Sequence, residues 1–207
     1  MNKPEQQTVF IVDDDAAVRD SIAELVESIG LQSEGFASPL EFLNTYQAER
    51  SGCLVLDVRM PEMSGLELQQ RLVAQRVSIP VIVITGHGDI PIAVEAMKAG
   101  AVDFLQKPYR EQALLDSINS ALTQDTAARR KADDSNQFSL SRATLTERET
   151  EVLDLLLVGN SSKEIARELA ISPRTAEVHR RNVLHKFGVG SAIELIRMSA
   201  SKDVDDK

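Results

Sequence analysis

The chain has 207 residues, 43% of them hydrophobic and 27% charged, enough apolar content for buried cores within one large domain or two ordinary ones. No apolar run approaches the ~18 residues that span a bilayer, and the polar start Met1-Asn2-Lys3-Pro4-Glu5 is not followed by a signal-peptide core. A single cysteine, Cys53, excludes an internal disulfide framework, so a reducing cytoplasm is the expected setting. The net charge of −9 argues against nucleic acid until it is divided along the chain. Residues 1–124 hold 9 basic and 18 acidic side chains, whereas residues 141–200 hold 9 and 8, and residues 163–186 hold 6 and 3. Such asymmetry points to two modules with different partners.

In chain order, Thr8-Val9-Phe10-Ile11-Val12, Cys53-Leu54-Val55-Leu56 and Val81-Ile82-Val83-Ile84 are short, mostly β-branched runs of the kind found in buried parallel strands. Weaker strands are expected at 31–36 and 102–105. Between them, Val18, Ile22, Leu25, Val26 and Ile29 share one helical face, as do Leu114, Leu115, Ile118 and Leu122. Ser38-Pro39-Leu40-Glu41 and Ser64-Gly65-Leu66-Glu67 have the spacing of capping boxes. The alternation predicts five βα units over residues 8–123, a parallel sheet covered on both faces. From Asp125 to Ser141 the pattern turns polar and predicts a linker whose first part continues the preceding helix. Beyond it, Thr146-Glu147-Arg148-Glu149 and Ser161-Ser162-Lys163-Glu164 repeat the capping signature, and Ser172-Pro173 opens a further helix. The last 60 or so residues predict a small all-helical domain.

The acids fall in a pattern. Asp13-Asp14-Asp15 follows the first strand, Asp57 the third, Thr85 the fourth, and Lys107-Pro108 stands just past the fifth. Strand carboxyl ends line the ligand crevice of an open parallel sheet, so these side chains converge. Clustered carboxylates repel one another unless a cation joins them, and hard oxygen donors suit Mg²⁺. A carboxylate nucleophile, a metal, a Lys and a hydroxyl together supply what phosphoryl transfer to Asp requires. Asp15 by itself is better read as the cap of the helix starting at Ala16. His87, in a Gly-flanked loop without a second His or Cys nearby, reads as a surface residue, and Cys53 as a small buried hydrophobe.

The set Asp13-Asp14, Asp57, Thr85, Phe104 and Lys107-Pro108, with the loop Asp57-Val58-Arg59-Met60-Pro61-Glu62-Met63-Ser64-Gly65, resembles the receiver domain of two-component response regulators. His87-Gly88-Asp89 and the run from Ala93 to Phe104 are most similar to the FixJ subgroup. The resemblance implies a flavodoxin-like (βα)5 doubly wound receiver in which Asp57 accepts the phosphoryl group. It implies Mg²⁺ held by Asp14, Asp57 and the backbone carbonyl of Arg59, with Asp13 acting largely through water. Lys107, aimed by a cis Lys107–Pro108 bond, would meet the phosphoryl oxygens, and Thr85 with Phe104 would form a switch. Gly86, often Ala in the family, and Tyr109, often Phe, depart from the pattern without removing a catalytic group.

In the second half, two helices at 162–169 and 173–187, joined by Ala170-Ile171-Ser172, describe a helix–turn–helix. Arg174, Glu177, Val178 and Arg181 fall on one stripe of the second helix. Ala176, Val183 and Phe187 occupy the other side. Arg, Glu and Val on one stripe suit base edges in a major groove, while Lys163, Thr175, Arg180 and Lys186 flank them as phosphate partners. From spacing alone, a solvated charged face fits as well. Leu145-Thr146-Glu147-Arg148-Glu149, Lys163-Glu164-Ile165-Ala166 and Ile171-Ser172-Pro173-Arg174-Thr175, continuing to Val178-His179, resemble the LuxR/FixJ-type DNA-binding domain. Ala176 and Phe187 stand where that family usually has Val and often Leu.

These resemblances divide the chain into a receiver (6–124), a partly helical linker (125–141) and a DNA-binding domain (142–200). They imply a cytoplasmic, non-enzymatic response regulator. Its partners would be a sensor histidine kinase, double-stranded promoter DNA and RNA polymerase, without a membrane. Phosphorylation would draw the receiver into a homodimer, through a face that includes Ile90, Val94 and Met97, although some of these would pack on the sheet. Transcriptional activation is the expected output. Two other readings remain at this point: an Asp-dependent phosphohydrolase with a helical docking module, and a degenerate receiver that binds only protein.

Overall fold

β-Branched and aliphatic runs that have no polar face must be covered on both sides, and the first half of the chain is built around three of them, flanked by two more polar edge strands. The computed structural model describes residues 7–86 and 90–200. Strands β1 (Thr8–Val12), β2 (Gln32–Phe36), β3 (Gly52–Asp57), β4 (Val81–Thr85) and β5 (Asp103–Gln106) pair in parallel in the order β2-β1-β3-β4-β5. This is the flavodoxin-like order, in which the winding reverses between β1 and β3. Helices α1 (Ala16–Ser28), α2 (Pro39–Thr45), α3 (Gly65–Ala74), α4 (Ile90–Lys98) and α5 (Glu111–Ala143) follow the strands in turn.

Strand alternation sorts the core into two layers. Phe10, Val12, Leu54, Leu56, Val81 and Val83 meet Phe42 of α2, Leu68 and Leu72 of α3 and Ala96 of α4. Val9, Ile11, Cys53, Val55, Ile82 and Ile84 meet Ile22 and Val26 of α1 and Leu114, Ile118 and Leu122 of α5. The α1 stripe ends sooner than its spacing predicts: Ile29 is the C-cap and stands 46% exposed. On α4, Ile92 and Ala96 turn to the core. Ile90, Val94 and Met97 are all exposed, so none of those three packs on the sheet.

Caps set the helix starts. Asp15 accepts from the N–H of Ala17, Ser38 from Glu41 and Ser64 from Glu67. The first two boxes close differently from their signature: Glu41 reaches back to the N–H of Ala37, and Glu67 pairs forward with Arg71 at 2.9 Å. Thr146/Glu149 and Ser161/Glu164 form complete boxes.

The chain divides into two compact units at Ala128 and Arg129, a boundary that falls inside α5. The segment read from sequence as a linker with a helical first part is helical to its end, with Phe138 only 2% exposed. No Gly or Pro interrupts it, and a single buried apolar side chain leaves too faint a period to read. The second unit adds α6 (Glu147–Leu157), α7 (Ser162–Glu168), α8 (Pro173–Lys186) and α9 (Ala192–Ala200) around Phe138, Val152, Leu153, Leu156, Ile165, Val183, Phe187 and Leu195. Among the described residues no helix is long and apolar enough to cross a membrane.

Candidate functional site

The register of the sheet assembles the acid pocket. Val12 lies opposite Leu56 across the β1–β3 seam, so Asp13 and Asp57 end neighbouring strands side by side. Asp57 pairs with Ile84, and Thr85 with Gln106, which brings Thr85 and Lys107 to the same edge. The backbone N–H of Lys107 donates to the Thr85 carbonyl at 2.8 Å, and the Lys107–Pro108 peptide is cis.

Lys107 Nζ stands 2.7 Å from Asp13 Oδ2 and 2.7 Å from Asp57 Oδ1. The other oxygen of each carboxylate is held by backbone: Asp15 N–H donates to Asp13 Oδ1 at 2.9 Å, and Arg59 N–H to Asp57 Oδ2 at 2.6 Å. Both acids are buried. Burial raises the Asp57 carboxyl above its ordinary value; hydrogen bonding and charge from Lys107 pull it down, and the Asp13 charge pushes it up again. For Lys107, burial is the largest single influence and lowers it. The hydrogen bonds and charges of Asp13 and Asp57 together outweigh burial and raise it. The pocket therefore keeps its ammonium charged beside a carboxylate that burial makes costly to ionise.

The remaining predicted residues take varied places. Thr85 is fully buried at the end of β4, and Phe104 packs half-buried against the α2–α4 layer. Asp14 and Arg59 are exposed. Among the described residues no three His, Cys, Asp or Glu side chains gather as a metal shell; Asp13 and Asp57 are brought together, and Asp14 is not. The donors are nonetheless all oxygen, and one ammonium faces two buried carboxylates on adjoining strand ends. That chemistry fits a hard divalent cation such as Mg²⁺. A Cβ on Gly86 would meet nothing within 4 Å, so Ala would fit there. His87, Gly88 and Asp89 lie outside the described residues. The Cys53 thiol is pushed up to about 12 by burial and then by the Asp125 charge, as befits an inert core side chain.

Two contributors escape a strand-end reading. Arg19, one turn into α1, donates through Nη1 to the Asp13 carbonyl at 2.7 Å and holds the acid loop from behind. Gly65 opens α3 directly under Asp57: a Cβ there would fall 2.0 Å from the Asp57 carbonyl oxygen. A glycine where a helix former is expected was the available signal for the second; a basic residue one turn past an acid run was a faint signal for the first.

In the second unit, α7 and α8 form the helix–turn–helix, with Ala170 at φ 50° in the turn. Arg174, Thr175, Glu177, Val178 and Arg181 are exposed on α8, and Lys163 on α7, while Ala176 and Val183 are buried behind. Ser162 Oγ donates to Glu177 Oε2 at 2.5 Å and accepts from Arg180 Nη1 at 3.1 Å, tying the two helices together. Lys186 does not join the outward set. Its ammonium bonds Glu149 Oε2 at 2.7 Å and the Thr144 carbonyl at 2.9 Å, because a nearly buried carboxylate on α6 needs a counter-charge.

Residues 9–119 match the family model of the response regulator receiver domain, and residues 143–199 that of the bacterial regulatory proteins, luxR family. The chain is 45% identical over 195 residues to response regulator protein TmoT of Ectopseudomonas mendocina, covering 94% of this chain and 89% of that one. It is 46% identical over 192 residues to transcriptional regulatory protein FixJ of Rhizobium meliloti (strain 1021), covering 93% and 94%. Among solved structures, response regulator StyR superposes with a TM-score of 0.78 at 45% identity, covering 94% and 98%. Full-length FixJ from B. japonicum does so with 0.57 at 42%, covering 95% and 97%.

Proposed function

Because the chain belongs to the response regulators, with a receiver domain followed by a luxR-family DNA-binding domain, we propose that Asp57 is its phosphoacceptor and that phosphorylation governs promoter binding. The donor is a sensor histidine kinase, the receiver spans 6–124 and the DNA-binding domain 142–200. The output is transcriptional activation in the cytoplasm, with RNA polymerase as a further partner.

The observation that carries this reading is the single Lys107 ammonium shared by Asp13 and Asp57. One Asp57 oxygen attacks phosphorus as the bond from phosphorus to the donor nitrogen breaks. Lys107 then has a dianion to face, and its charge offsets what gathers on the phosphoryl oxygens. Arg59 N–H keeps the carboxylate oriented from its other oxygen. Asp13, Asp14, Asp57 and the Arg59 carbonyl would hold Mg²⁺, which when bound neutralises part of the phosphoryl charge. Thr85 and Phe104 carry the change outward, the hydroxyl toward the phosphoryl group and the ring inward behind it. The exposed side of α4, Ile90, Val94 and Met97, then serves as the face through which two receivers pair. On α8, Arg174, Glu177, Val178 and Arg181 read bases, and Lys163, Thr175 and Arg180 hold phosphates.

The intact Asp57–Lys107 pair supports this over a degenerate receiver, and the helix–turn–helix supports it over a phosphohydrolase with a docking module. The test is binding of the full chain to a duplex that it has selected from a random-sequence pool. Beryllofluoride with Mg²⁺ should tighten binding of the wild type and leave Asp57→Asn unchanged. Equal binding with and without the adduct would overturn the reading.

A further inference from the structure

We infer that Phe138, on the last turns of α5, is a positioning residue for DNA reading: it seats the C-terminal end of α8. The inference rests on α8 being the reading helix. Phe138 lies before residue 143, where the luxR-family match begins. The α5 surface around it is polar or exposed: Asn136, Gln137, Ser139 and Leu140 all face solvent. Phe138 alone turns inward, 2% exposed, and its ring packs on Phe187 with centroids 5.0 Å apart and planes tilted by 54°. Phe187 is itself the C-cap of α8, 1% exposed, its N–H bonded to the Val183 and His185 carbonyls. The ring packed against it comes from α5.

The two ends of α8 are thus held by different means. Ser172 caps the first turn, and Ala176 is buried just beyond it. At the far end the apolar support is Val183, Phe187 and, behind Phe187, Phe138. Removing the Phe138 ring leaves a void that the end of α8 settles into, since packed interiors give way locally when volume is lost. Base-edge hydrogen bonds tolerate only a few tenths of an ångström in length. Phosphate contacts from long Arg and Lys side chains follow a small displacement. The loss should therefore fall on sequence preference and spare non-specific affinity.

The experiment uses the full chain, with the pool-selected duplex and a random duplex as probes. Phe138→Ala should lower affinity for the selected duplex about tenfold, the worth of roughly one base-pair contact. Its affinity for random duplex should stay near wild type, and its far-UV circular dichroism should be unchanged. Amide hydrogen exchange at Leu184–Gly188, which needs no DNA, should quicken. Phe138→Leu, which keeps an apolar side chain in place, should recover part of both effects. If Phe138→Ala fails to fold, Phe138→Leu decides, with a smaller loss of preference and faster exchange than wild type. Wild-type preference with wild-type exchange overturns the inference, and so does equal weakening on both duplexes, which marks Phe138 as packing only. A wild-type chain that prefers no sequence would instead sink the reading of α8, while the exchange data still report whether Phe138 seats it.

Discussion

Lys107 Nζ, just past β5, and Asp57 Oδ1, at the end of β3, lie 2.7 Å apart although β4 separates their strands, and the same ammonium is 2.7 Å from Asp13 Oδ2. On the proposal that Asp57 accepts the phosphoryl group, this ammonium would meet the phosphoryl oxygens. Asp57→Asn should abolish labelling of the full chain by acetyl phosphate, and chelation by EDTA should do the same to the wild type, since Asp13 and Asp14 then repel the incoming anion. Lys107→Met should slow labelling without moving it. Near wild-type labelling of Asp57→Asn would transfer the acceptor role to another residue.

Gly65 offers a steric test of the same pocket. A methyl group there collides with the Asp57 carbonyl and reaches 3.0 Å from Leu56 Cγ, and the atom it meets is backbone that cannot swing aside. Gly65→Ala should cost about 1–3 kcal/mol in receiver stability, the usual penalty of overpacking. It should also slow Asp57 labelling. Thermal melts and acetyl-phosphate kinetics read the two effects separately. Gly86→Ala, with nothing within 4 Å, should leave stability unchanged.

The Glu149–Lys186 pair predicts a pH dependence for the second unit. The Glu149 carboxyl is lowered from 4.5 to about 2, first by the Lys186 hydrogen bond and then by the N–H of Thr146. A carboxylate depressed by folding stabilises fully above its unfolded value, and that stability drains as pH falls toward the folded one. Glu149→Gln should therefore cost about 2 kcal/mol at neutral pH. The gap to wild type should narrow from pH 4.5 downward and be nearly closed by pH 2. A gap independent of pH would remove the ion pair as its cause. Lys186→Met should destabilise the unit rather than flatten the salt dependence of DNA binding.

The roles proposed for Arg181 and Lys163, reading and holding, can be separated by experiment. Both are exposed, one on α8 and one on α7. Arg181→Ala should relax sequence preference and cost ~1–3 kcal/mol at one base pair, whereas Lys163→Ala should weaken all duplexes alike and flatten the salt slope by ~1. Binding to selected and random duplexes across a salt series distinguishes them. If the two variants behave alike, the reading face is misassigned.

The α4 face predicts a change of oligomeric state. Ile90 is 78% exposed, Val94 45% and Met97 48%, an apolar row that water covers in a lone chain. Beryllofluoride with Mg²⁺ should convert the full chain from monomer to dimer in sedimentation velocity, and Val94→Glu should prevent it. A monomer under both conditions would leave release of an inhibitory contact between domains as the route of activation.

Sequence alone determined the three central strands and the acid edge, because a buried strand needs an unbroken apolar run and the residue that ends it is visible as the first polar one. Asp13, Asp57 and Thr85 were legible on that ground, as were the caps at Ser161 and Ser172, whose geometry is local. What only the tertiary structure decided depended on distant partners. Lys186 looked like any basic residue beside a reading stripe until folding set it on Glu149, 37 positions earlier. Glu67 fitted a capping box, yet Arg71 one turn ahead drew it away. Gly65 carried a conformational signal, but the reason for it is the Asp57 carbonyl lying over it. Phe138 sat in a polar stretch without a period, since one buried apolar side chain makes no stripe, and its purpose emerges only with Phe187 against it. A strand or a cap is specified by residues next to it in the chain; a counter-charge, a close approach or a ring pair is specified by which surfaces meet, and that is settled by the packed fold.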